Sequence, residues 1–80
     1  MKPEWIPLNR VPIGCCGAVK QLQAEGIARR RMLDLGLVAG TRVEALRKSP
    51  SGDPTAYWIR GAVIALRSEE ASQIFVEAAR

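Results

Sequence analysis

The spacing of apolar positions along the chain changes several times, and each change predicts an element. Over residues 17–23 (Gly-Ala-Val-Lys-Gln-Leu-Gln) apolar and polar residues nearly alternate, as on a strand with one buried face. Val19 and Leu22 differ in parity, a mismatch that a bulge would reconcile. Over 27–35 the period becomes helical. Ala28, Met32 and Leu35 fall on one side with Leu33 beside them, while Arg30, Arg31 and Asp34 group opposite. Arg29 stands at the border of the apolar arc, where a stem packs and a head reaches water. Gly36 supplies the left-handed residue that closes such a helix, and Leu37 the apolar contact that accompanies the cap.

After Gly40 the period falls to two, with Val43 and Ala45 on one face of 41–48 and Arg42, Glu44 and Leu46 on the other. Ser49-Pro50-Ser51-Gly52-Asp53-Pro54 is a dense turn cluster joining this strand to a return strand at 55–60. Gly61 permits a tight reversal into 62–67. Ser68 is placed to cap a short helical turn with Glu69 and Glu70 at its positive end, and Ile74-Phe75-Val76 reads as a closing strand. Pro3, Pro7 and Pro12 break regular structure at the other end. Residues 1–12 therefore read as an extended lead-in, with Trp5, Ile6 and Leu8 against the body of the fold, and 13–80 as the domain. The fold class is mainly β with one inserted α-helix: about five short strands, closed or nearly closed into a small barrel that hides its edges.

Composition narrows the function. Eighty residues make one domain, and 48% hydrophobic with 25% charged residues is an ordinary globular mix. There is no histidine, so the commonest general base and the commonest zinc ligand are both missing. A chain this short also supplies few walls for a cleft. These features argue against an enzyme and leave no catalytic or cofactor-binding residue to name. No glycine-rich run with lysine opens a helix, so no phosphate loop is present. Cys15 and Cys16 are neighbours: a disulfide between them is strained, and two adjacent thiols do not complete a tetrahedral site. They read as small residues at a turn, with no metal assigned. No apolar run of signal-peptide length opens the chain, and none approaches the roughly 20 residues of a membrane span. The expected location is the cytosol.

Charge is uneven. The net charge is +4, and residues 20–48 hold all of it: seven basic groups against Glu25, Asp34 and Glu44. The Arg29-Arg30-Arg31 run is the centre of this basic segment, and arginine is favoured for bidentate contact with carboxylates and phosphates. Tyr57 and Trp58 lie on opposite faces of one strand, so one fills the core and the other covers the barrel mouth or anchors a partner. Arg29, Arg30, Arg31, Tyr57 and Trp58 are the candidate partner-binding residues. A sequence-blind nucleic-acid binder would show more aromatics beside the charges.

The ordered combination of Arg30-Arg31-Met32-Leu33-Asp34-Leu35-Gly36-Leu37, Gly40-Thr41, the 49–54 turn, Tyr57-Trp58-Ile59-Arg60-Gly61 and Ile64-Ala65-Leu66-Arg67 resembles the ferrous iron transport protein A (FeoA) family from about Leu8 to Val76. The resemblance implies an SH3-like barrel with an inserted helix. It also implies a non-catalytic cytosolic accessory of bacterial ferrous iron uptake, whose partner is a membrane iron transporter with a GTP-binding domain. Two alternatives stay open: a small nucleic-acid-binding barrel using 20–48, and a metal-sensing module like the terminal domain of metal-dependent repressors.

Overall fold

In the computed structural model, which describes residues 5–79, the alternating segments become one antiparallel sheet. The elements in order are β1 (Trp5–Pro7), a 3-10 turn (Leu8–Arg10), β2 (Cys16–Leu22), α1 (Gly26–Asp34), β3 (Arg42–Lys48), β4 (Thr55–Ile59), β5 (Ala62–Leu66), α2 (Ser68–Ala71) and β6 (Ile74–Ala79). The strands lie in the order β1-β6-β2-β3-β4-β5, every neighbouring pair antiparallel. Among the described residues six strands therefore replace the five expected, and the sheet ends at β1 and β5 rather than closing through hydrogen bonds.

The extra strand is β1, inside the segment read as a lead-in. Its one proline, Pro7, sits in a strand at the sheet's end, where one side needs no partner and a missing N–H costs little. Trp5, Ile6 and Pro7 pair with Glu77, Val76 and Phe75. Leu8 follows and is fully buried, a contribution of about 1.5–3 kcal/mol that ties the segment to the core. The lead-in and the remainder thus form one packed unit. Its Pro3 lies outside the described residues.

The bulge predicted from parity is present. The β2–β6 register shifts between Val19 and Gln21, so Val19 faces Val76 and Leu22 faces Ile74. Both apolar side chains are thereby directed toward the buried side. Gly17, near the start of β2, leaves room for a close approach: a Cβ there would stand 3.0 Å from the Glu77 carbonyl oxygen and the Val76 side chain, so either neighbour would have to give way.

Helix α1 ends as the sequence predicts. Gly36 takes φ of +96°, its N–H donates to the Leu33 carbonyl, and the Leu37 N–H donates to the Met32 carbonyl. This double bond pattern is a Schellman cap, and its apolar contact is made by Met32 and Leu37, both buried. The Thr41 hydroxyl then donates to the Gly36 carbonyl at 2.8 Å and turns the chain into β3.

The short helix α2 departs from expectation at its cap. Arg67, not Ser68, is the capping residue, and its N–H donates to Glu70 Oε1 at 2.9 Å. Ser68 is the first helical residue, and its N–H donates to Asp53 Oδ1 at 2.8 Å. The acceptor comes from the 49–54 turn, fifteen residues away, so no local pattern announces it.

Candidate partner-binding surface

Strand β4 decides which aromatic is available. Thr55, Tyr57 and Ile59 point inward, and Tyr57 is only 2% exposed. Burial raises its phenol pKa above the ordinary value of 10.0; the Asp53 charge adds to the rise, and a hydrogen bond with Thr55 opposes it. Trp58 points the other way and is 45% exposed. Tyr57 is therefore a core residue, leaving Trp58 as the surface aromatic of the pair.

Around Trp58 the sheet register assembles a face that sequence spacing alone does not reveal. Trp58 is flanked across the ladder by Glu44 on β3 and Val63 on β5, and Glu44 in turn by Cys16 on β2. Val63 is 56% exposed, so it extends the apolar surface of Trp58. A shallow hollow beside them is lined by Thr41, Arg42, Glu44, Trp58 and Arg60. Its geometry depends on the β4–β5 turn. Arg60 and Gly61 have φ of 49° and 85°, a two-residue turn of the kind that matches strand twist. The Arg60 stem then lies over Gly36, in the space a side chain would occupy. The Arg-Gly pair between two apolar runs is the sequence signal that would have located Val63 and Arg60, because a two-residue turn fixes which residue faces Trp58.

The three arginines divide. Arg29 donates from Nη1 to the Leu22 carbonyl at 3.3 Å, bracing the helix on β2. Arg31 pairs with Glu70 at 3.1 Å and joins α1 to α2. Arg30 lines an outer hollow of the helix with Gly26, Arg29, Leu33 and Asp34. The i, i+4 spacing of Arg30 and Asp34 forms no ion pair: among the described residues the ion pairs are Lys20–Glu77 and Arg31–Glu70. Ile27, 88% exposed at the start of α1, adds an apolar tip near this hollow's helix that the periodicity did not assign. The hollow around Trp58 contains no residue of α1, so the arginine run and the tryptophan do not form one pocket.

Cys15 is exposed in the turn before β2, and Cys16 is half-buried; both are free thiols. Among the described residues no three His, Cys, Asp or Glu side chains converge in a way that would hold a metal ion. No helix among them is long and apolar enough to cross a membrane.

Comparison with known proteins fits this architecture. The model of the FeoA domain matches residues 6–78. This chain belongs to the FeoA domain family. A Porphyromonas gingivalis protein described as an Fe(2+) transport protein A/Fe(2+) transporter FeoB fusion is 30% identical over 70 residues. That match takes in 88% of this FeoA domain chain but 8% of the relative, so the chain spans a small part of the curated protein it matches. A FeoA-like protein of Clostridium acetobutylicum superposes with a TM-score of 0.89 at 38% identity, covering all of this chain and 92% of the other. The zinc complex of Stenotrophomonas maltophilia FeoA, described as a prokaryotic SH3 domain protein, gives a TM-score of 0.80 at 29% identity over 91% of this chain and 94% of that one. The FeoA family is thereby linked to ferrous iron transport, and the fold is SH3-like.

Proposed function

We propose that the protein is a non-catalytic accessory of bacterial ferrous iron transport, acting in the cytosol by docking on a membrane iron transporter that carries a GTP-binding domain. The observation that carries this reading is the covalent one: in the Porphyromonas gingivalis relative, a segment resembling this chain is fused to the transporter FeoB. Fusion of two proteins gives each a high effective concentration of the other, which has value where the two work in contact.

The docking face is the outer side of β3–β5. Trp58 is its anchor, with Arg42 and Arg60 beside it, residue types that concentrate binding energy at interfaces. Arg30 and the outer hollow of α1 are a second contact. Docking alters the transporter only by favouring one of its states, so the protein must bind one nucleotide-linked conformation more tightly than another. Nucleic acid has less support, since two of the three clustered arginines are engaged within the fold.

The test is co-purification with a FeoB-type transporter in gentle detergent, followed by titration with its isolated GTP-binding domain. Trp58→Ala should weaken binding by about 30-fold, in line with the ~2 kcal/mol of an interface anchor. Circular dichroism should show the variant folded. Arg30→Glu should weaken it less. Absence of any association with the transporter, in every nucleotide state, would overturn the proposal.

A further inference from the structure

The outer face of β3–β5 extends beyond the Trp58 hollow. Trp58 and Ala56 stand two residues apart on β4 and so share that face, and the ladder sets Ala65 of β5 and Arg47 of β3 on either side of Ala56. A second hollow opens there, lined by Ala56, Ala65 and Pro54 with Arg47 and Lys48. The two hollows adjoin through Trp58 and Ala56 and make one trough along the strands. Arg42 and Arg60 mark one end and Arg47 and Lys48 the other. Three to four strand residues separate these ends, roughly 10–13 Å at about 3.3 Å per residue.

The charges of the trough are unbalanced. All four cations are exposed, and none takes part in an ion pair: among the described residues the pairs are Lys20–Glu77 and Arg31–Glu70. The face answers them with one carboxylate, Glu44, which stands beside Trp58 near the middle. At the β5 margin the further charges cancel, Arg67 against Glu69, with Glu70 already held by Arg31.

We infer that this trough receives an extended acidic segment of the partner protein, with a carboxylate at each end and an uncharged apolar residue between them. The inference rests on the docking role proposed above and names the chemistry that the same face recognises. In an extended chain, residues i, i+2 and i+4 point to one side and span about 13 Å, the length of the trough. Acids at i and i+4 then reach the two basic ends, where guanidinium groups donate to carboxylates in pairs of parallel hydrogen bonds. The residue at i+2 lies against the Trp58 ring, over the small side chains of Ala56 and Ala65. Glu44 repels an acid at that middle position and so selects against a uniformly charged polymer. A single-stranded nucleic acid is such a polymer, with a phosphate at every step. It would also find only Trp58 exposed for stacking among the aromatics of the described residues.

Amide NMR of the whole protein at low salt, titrated with the end-blocked peptide Glu-Ser-Leu-Ser-Glu, tests the inference. The Trp58 indole and the amides of Ala56 and Ala65 should shift, and affinity should fall as salt rises from about 20 to 200 mM. The Gln-Ser-Leu-Ser-Gln analogue should bind at least about tenfold more weakly, and so should the acidic peptide to an Arg47→Glu variant, since each loses a charge-assisted contact. Arg47→Gln serves where the reversal disturbs the amide spectrum. Absence of shifts at Trp58, Ala56 and Ala65 overturns the inference, as does a thymidine pentanucleotide that binds there more tightly than the peptide. Arg47 lies outside the Trp58 hollow, so it separates the two readings. A transporter that co-purifies undiminished with folded Arg47→Glu overturns the acidic-segment inference and leaves docking standing. A peptide that shifts the trough as described, while no transporter associates, does the reverse.

Discussion

At the scale of single residues, Tyr57 and Gly36 hold positions whose chemistry can be measured directly. Tyr57 is the chain's single tyrosine, so absorbance near 295 nm reports on it alone. Its folded pKa lies above 10.0, chiefly through burial, so the folded state prefers the neutral phenol. The stability this provides is complete below pH 10 and is lost as pH rises through the folded pKa. The native protein should therefore titrate later than the same chain in denaturant, and its unfolding midpoint should fall above pH 10. A native titration coinciding with the denatured one would contradict the burial. Gly36→Ala places a side chain at φ of +96° and against the Arg60 stem. It should destabilise the fold by about 1–2 kcal/mol in urea unfolding, the usual cost of the left-handed region.

At the scale of elements, α2 is too short to stand alone, and three distant segments hold it. Asp53 from the turn before β4 accepts the Ser68 N–H, and Asn9 from the 3-10 turn donates to the Ser68 hydroxyl at 3.0 Å. Arg31 from α1 pairs with Glu70 at 3.1 Å. Asp53→Ala removes an acceptor at the helix start and should cost about 1 kcal/mol by thermal or urea unfolding. Asp53→Asn keeps an acceptor oxygen but removes the charge, so it should cost less while lowering the Tyr57 pKa. Arg31→Ala should cost little, since exposed ion pairs contribute about 0–1 kcal/mol.

At the scale of the whole molecule, what was legible depended on whether the cause was local. The Schellman end at Gly36 and Leu37, the bulge between Val19 and Gln21, and the inward set of Val43 and Ala45 each follow from spacing within a few residues. The opposed faces of Tyr57 and Trp58 were equally readable, because a strand permits nothing else. The sixth strand was not: Pro7 argues against a ladder, and only the long-range pairing of Ile6 with Val76 and the burial of Leu8 make β1 worthwhile. The hollow at Trp58 was hidden for the same reason, since Arg42 and Glu44 on β3 reach it only through the register with β4. Long-range pairing also sets the stability of the first segment. Leu8→Ala should destabilise the entire domain by about 2–5 kcal/mol in cooperative unfolding, rather than fray β1 alone.

The pairing of Trp5 with Glu77 has a consequence for how the domain can be carried. Chain entering at β1 and chain leaving at β6 pass one corner, so the fold behaves like a bead tied at a single point. A short linker joining them, with new ends opened at the tip around Ser51 and Gly52, should give a circular permutant that keeps the native spectrum.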